Sequence, residues 1–137
     1  MRDLRHIFCW LAFGLTSCAT TSSHQFAGPT ADWQTRSGQL AYQGPQMSLI
    51  GEVLVRFSKN GEMELTFSKG PGVTLLTLRQ DAQFASAEGP LARGRWSGPT
   101  ANAPERLRGW FALREKILAG GSSIRFASGA ESFRLRF

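Results

Sequence analysis

Glu62 and Glu64 stand one residue apart and, on a strand, would share one face. Two rises of roughly 3.4 Å put them about 7 Å apart, a separation that can suit two-carboxylate glycoside hydrolysis. They alternate with Met63, Leu65 and Phe67, however, which puts both carboxylates on the polar face of the strand, where like charges are solvated. Histidine and cysteine offer less. The chain has two of each, His6, His24, Cys9 and Cys18, and none lies between Trp33 and Phe137. Ser-His-Asp and Cys-His catalysis therefore lack a base in this stretch, and a structural zinc lacks its usual ligands. No Walker-type loop and no Gly-x-Gly-x-x-Gly ahead of a helix is present, and nothing singles out one serine for a Ser/Lys dyad. The expectation is a protein that is not an enzyme, with no catalytic residue, no metal and no cofactor.

The chemistry that remains is at Cys18. Arg2 and Arg5 make a cationic start, and Ile7 to Leu15 follow as an apolar run too short to span a bilayer as a mature helix. Leu15-Thr16-Ser17-Cys18 closes it and resembles the bacterial lipobox, whose cysteine is acylated before cleavage makes it the first residue. Residues 1–17 read as a lipoprotein signal peptide and Cys18 as the lipidated residue. A multiply acylated cysteine holds firmly to a membrane, because each buried methylene contributes about 0.8 kcal/mol. Cys9 would leave with the signal, so the mature chain would have no disulfide. Ala19 follows Cys18, where an aspartate marks inner-membrane retention in enteric-type bacteria, so an outer-membrane location facing the periplasm is expected.

These features need a scaffold. Length (137 residues) and hydrophobic content (42%) fit one globular domain rather than a disordered chain, and ten Phe with four Trp can fill one core. Residues 18–32 are rich in small and polar types and read as a flexible tether, with the single domain at 33–137. The net charge of +6 calls for an anionic partner or a solvated basic face. An envelope location excludes nucleic acid and leaves lipid headgroups or lipopolysaccharide. Arg93 with Arg95, and Arg134 with Arg136, are expected at alternate strand positions on an outer face.

From Gln34 onward the apolar period is two. Leu49, Gly51, Val53, Val55 and Phe57 form an apolar face against the mixed Ile50, Glu52, Leu54 and Arg56. Met63, Leu65 and Phe67 follow after Lys59-Asn60-Gly61, a hairpin signal. Gly70-Pro71-Gly72 predicts a turn into Val73–Leu78, and weaker strands are expected at Gln83–Glu88 and Leu91–Ser97. Asn102-Ala103-Pro104-Glu105 predicts a helix capped by Asn102, with Leu107, Trp110, Phe111, Ile117 and Leu118 on its apolar stripe and Gly120-Gly121 as its stop. A last hairpin runs from Ile124 to Phe137 about Ser128-Gly129-Ala130. The fold class is mainly β: a strongly curved, incomplete antiparallel barrel of seven or eight strands, with one late amphipathic helix covering the concave side.

Three segments add a resemblance. Trp33-Gln34-Thr35-Arg36-Ser37-Gly38, Phe67 to Leu76 around Gly70-Pro71-Gly72, and Leu107-Arg108-Gly109-Trp110-Phe111 occur in the order expected for the outer-membrane lipoprotein acceptor family, LolB, of the LolA/LolB carrier superfamily. With the Ile124–Phe137 hairpin and the lipobox, the chain resembles a shortened member. It has fewer residues between helix and last hairpin, and Pro71 where the family exposes an apolar loop tip. The resemblance implies acyl chains of lipids or lipoproteins received from a periplasmic carrier into an apolar cleft. Wall candidates on the inner faces are Val53, Val55, Phe57, Leu65, Phe67, Leu76, Leu78, Trp96, Leu107, Trp110 and Phe111, and Pro71 with Val73 would form a membrane-facing loop. The alternative is a non-catalytic envelope lipoprotein with a packed core that docks another envelope protein.

Overall fold

The computed structural model describes residues 24–137. The expected signal peptide, Cys18 and the start of the expected tether lie outside the described residues. Eight antiparallel strands form one sheet: β1 Gln34–Gln43, β2 Ser48–Phe57, β3 Met63–Ser68, β4 Thr74–Gln80, β5 Phe84–Gly89, β6 Gly94–Pro99, β7 Ser123–Ser128 and β8 Glu131–Arg136. Their order across the sheet is β6-β5-β4-β3-β2-β1-β8-β7, so the sheet is curved but never closes into a barrel. One helix, α1, spans Glu105–Leu118 between β6 and β7.

Alternation sets the faces. Val53, Val55, Met63, Leu65, Phe67, Leu76, Leu78, Phe133 and Leu135 point inward and are buried, while Ile50, Leu54, Arg134 and Arg136 point outward. Leu107, Trp110, Phe111, Leu113 and Ile117 of α1 belong to the same buried cluster. Leu113 completes the stripe read from the sequence, and Leu118 is only half-buried at its edge. Gly109 lets the helix sit close to β8: a Cβ there would meet the Phe133 ring at 3.0 Å and a Glu131 carboxylate oxygen at 3.1 Å. Burying a side chain of this size contributes about 1.5–3 kcal/mol, so the sheet's inner face and the helix stripe stabilise each other.

The Lys59-Asn60-Gly61 hairpin joins β2 to β3 as expected. Gly61 takes φ 84, with its N–H donating to the Ser58 carbonyl and the Asn60 and Glu62 N–H groups to Ser58 Oγ. The helix departs from the expectation by starting later than Asn102. That residue ends a 3₁₀ turn at Thr100–Asn102, and Pro104 is the N-cap with no side-chain cap bond. Proline has no side-chain acceptor to give, so Glu105 in the first turn supplies the favourable charge there. Gly70-Pro71-Gly72 behaves as expected, with Gly72 at φ 76 and the Val73 N–H on the Gly70 carbonyl.

Leu91–Ser97 is not one strand. Pro90–Ala92 is a 3₁₀ turn and Arg93 is left-handed at φ 54, so β6 begins at Gly94. Arg93 thus leaves the strand position assigned to it, whereas Arg95, Arg134 and Arg136 keep theirs. Within the expected tether, His24 and Phe26 lie against the domain. The His24 ring stacks on Phe84 (4.1 Å, 9°) and pairs with Asp81 at 2.6 Å, and Arg79 lies over Phe26. Burial alone would raise the Asp81 carboxyl; N–H donors from Gln83 and Phe84, with His24, outweigh it and hold it below its ordinary value.

Gly38 marks the tightest approach between strands: a Cβ there would collide with the Arg136 carbonyl across the β1–β8 pair. Gly38→Ala is expected to lower the denaturation midpoint by about as much as Leu65→Ala, which empties a fully buried position at a cost of about 2–5 kcal/mol. Leu54→Ala on the outer face should stay within about 0.5 kcal/mol. Urea unfolding followed by fluorescence checks all three.

Candidate functional site

In an antiparallel meander, alternate turns fall at the same end. The β1–β2, β3–β4, β5–β6 and β7–β8 turns therefore share one end of this sheet. Three of them, with the first residues of α1, enclose a cleft of about 690 Å³. Pro45-Gln46-Met47 comes from the β1–β2 turn, Pro90, Leu91 and Arg93 from the β5–β6 turn, and Ser128 to Glu131 from the β7–β8 turn. Pro104, Glu105, Arg106 and Arg108 line the helix side, and Tyr42 and Trp110 complete the lining. The volume lies within the roughly 300–1,000 Å³ usual for small-ligand sites.

Each wall has a local cause. Gly129 has φ 58 and Ala130 does not, which is the pattern of a two-residue turn with glycine at its first corner. The β1–β2 turn is closed by the Gly44 N–H on the Met47 carbonyl. The β5–β6 turn is pinned by buried Ala92, whose carbonyl accepts from Arg106 Nε and Nη2, both at 3.4 Å. Arg93 is the one residue other than glycine with a left-handed backbone among the described residues. Such positions store strain and concentrate at functional sites. Arg108 Nε donates to the Ala103 carbonyl at 3.0 Å.

Where the cleft meets the core, Tyr42, Trp110 and Phe133 form an aromatic knot, with ring centroids 4.9–5.3 Å apart. The Tyr42 hydroxyl donates to Glu131 Oε2 at 2.6 Å. Burial first, then that hydrogen bond and the negative charge behind it, hold the phenol well above its ordinary value. The lining is mixed: Met47, Leu91, Trp110 and three prolines are apolar, Arg93, Arg106 and Arg108 bring guanidinium groups, and Glu105 and Glu131 bring carboxylates, the latter bonded to the Tyr42 hydroxyl. It offers shape and charge for an amphiphile.

The expected wall residues fall elsewhere. Of the eleven, Trp110 alone lines the cleft. Val53, Val55, Leu65, Phe67, Leu76, Leu78, Leu107 and Phe111 are buried among one another, six of them at 0% exposure, and Phe57 and Trp96 are half-buried at the margin of the same cluster. A side chain with no exposed surface borders no water-sized space, so sheet and helix interlock where an opening was expected. The cleft residues give no periodic signal, because they come from four separated segments that only the register brings together. Pro71 and exposed Val73 sit in the β3–β4 turn, at the same end as the cleft.

The carboxylate pair is structural. Glu64 accepts from Arg56 Nη2 at 3.0 Å and Arg79 Nη2 at 2.7 Å across β2, β3 and β4, while Glu62 meets Ser58 Oγ at 3.4 Å. Among the described residues no group of three His, Cys, Asp or Glu side chains could hold a metal ion, and no helix is long and apolar enough to cross a membrane.

Tyr42 is the one tyrosine of the chain, so phenolate absorbance reports it alone. Its raised value stabilises the fold fully below pH 10, the ordinary tyrosine value, and that contribution is lost as pH climbs from there toward the folded value. Alkaline titration should show phenolate appearing only with unfolding, and Tyr42→Phe should flatten the fall in stability above pH 10. Comparison with protein-family models and with curated proteins returns no match.

Proposed function

We propose that this chain is a non-catalytic, membrane-anchored binding protein of LolB-like type that accepts an acyl chain of a lipid or lipoprotein in its end cleft. The observation that carries the reading is the cleft itself: about 690 Å³, lined by Trp110, Met47, Leu91 and three prolines, with three arginines against two glutamates among its charged residues. Apolar lining with a small excess of positive charge suits a hydrocarbon chain with an anionic head. Exposed Val73 and Met47 lie at the same end of the sheet, so the mouth of the cleft and the apolar loop tips would face one surface. Transfer needs no covalent step. The cleft buries a chain handed over by a periplasmic carrier and releases it to a bilayer that offers more apolar contact. An anchor at Cys18 would keep the domain at the outer membrane on the periplasmic side.

The interlocked interior favours a second reading, an envelope lipoprotein without cargo that docks another envelope protein. Native mass spectrometry of the whole chain carrying Cys18→Ala separates the two. The first reading expects a co-purifying lipid or uptake of an added triacylated lipopeptide. Met47→Glu, a change at an exposed turn residue, should weaken uptake by roughly tenfold or more, the equivalent of losing a buried methionine, and leave the melting temperature unchanged. A bare polypeptide mass with no uptake contradicts the first reading.

A further inference from the structure

The outer surface of the sheet carries its arginines in two different ways. On the flank from β2 to β6 they are matched: Arg56 and Arg79 share Glu64, and Arg95 pairs with Glu88 at 2.9 Å. On the other flank they are not. Arg134 and Arg136 project outward, alternating with buried Phe133 and Leu135, and Arg125 of β7 lies directly opposite Arg134. Directly opposed side chains have Cβ atoms about 4.5–5.5 Å apart, and like charges there oppose the pairing. Arg136 faces Gln39 on one side and Ser123 on the other. Among the described residues none of these three arginines has a carboxylate partner.

The same cross-strand row that holds Arg125 and Arg134 continues through Ala41 to Ile50, which is 64% exposed. Leu54 lies four residues further along β2 on the same face and is 40% exposed, with exposed Glu52 between it and Ile50 and Gln39 between Glu52 and Arg136. Folding alone gains nothing from opposed arginines beside a bare isoleucine. A layer of phosphates above an apolar layer matches both features, since guanidinium groups bind phosphate oxygens in bidentate fashion and branched apolar side chains leave water just beneath. Single-stranded nucleic acid would match only the charge: the large apolar residues exposed on this face are aliphatic, with no aromatic platform for bases.

We propose that the outer face of β7, β8, β1 and the Ile50 end of β2 docks on an anionic lipid bilayer, with Arg125, Arg134 and Arg136 on lipid phosphates, Ile50 in the interfacial apolar layer, and Glu52 and Leu54 beyond the contact. The surface is separate from the end cleft, so the docking stands or falls independently of acyl-chain uptake. It would lay the domain along the membrane.

Sedimentation of the whole chain carrying Cys18→Ala with phosphatidylcholine vesicles, and with vesicles of phosphatidylcholine mixed with phosphatidylglycerol, tests this. Tighter binding to the mixed vesicles is expected, with the advantage shrinking as salt rises. Arg125→Gln and Arg134→Gln should each weaken it on the order of fivefold, and Ile50→Ser should weaken it too. Arg95→Gln, on the matched flank, should leave it unchanged. Arg125→Gln relieves a like-charge contact, so its melting temperature should hold or rise, which separates lost docking from lost folding. Equal binding to both vesicle types, full binding by a variant with all three arginines changed to glutamine, or tighter binding to polyglutamate or single-stranded DNA would overturn the proposal.

Discussion

The indole of Trp110 stands 4.9 Å from the Tyr42 ring, 5.7 Å from Phe67 and 5.0 Å from Phe133, measured between centroids. Those three partners belong to β1, β3 and β8, so one helical side chain ties together strands on both sides of β2. An open eight-stranded sheet exposes its concave face unless something covers it, and a helix of 14 residues has little area for the task. Aromatic rings give large contact areas and edge-to-face geometry that smaller side chains cannot. Gly109 allows the approach, and Arg114 secures the far end by donating from Nε to the Gly61 carbonyl at 2.8 Å. The rest of the molecule follows from this seating of the helix.

One consequence is the placement of empty space. With Trp110 wedged against three strands, the volume between helix and sheet is occupied along the strand centres. What remains open is the end where α1 begins and three turns flare away from it. The opposite end is closed by other means: Arg36 Nη2 donates to the Gly121 carbonyl at 2.6 Å and its guanidinium covers the Phe137 ring at 4.1 Å. Among the described residues the middle of the molecule is solid, and the large cleft opens at the end where α1 begins.

The strands were legible because burial imposes period two on them, and Val53–Phe57 and Met63–Phe67 carry that period without a break. The helix stripe was legible for the same reason at its own period, apart from Leu113. Boundaries were harder. Asn102 has the side chain of a cap, but the chain spends it on a 3₁₀ turn and enters the helix through Pro104. Arg93 sits in what reads as alternation, yet Gly89, Pro90 and Gly94 around it make a turn rather than a strand. The cleft was illegible in principle: Met47, Leu91, Trp110 and Gly129 are neighbours only once the strand order is known, and an apolar inner face looks the same whether it lines a void or fills one. Tyr42 and Glu131, 89 positions apart, show the same limit.

The most direct measurement is to find where an acyl chain touches the protein. A lipopeptide bearing a diazirine midway along its chain, photolysed with the Cys18→Ala protein and mapped by peptide mass spectrometry, reports this residue by residue. The account predicts adducts on Pro45–Met47, Pro90–Arg93 and the Pro104–Trp110 stretch. Adducts confined to buried Leu65, Phe67, Leu76 and Leu78, or none above the level seen with an unfolded control, would contradict it.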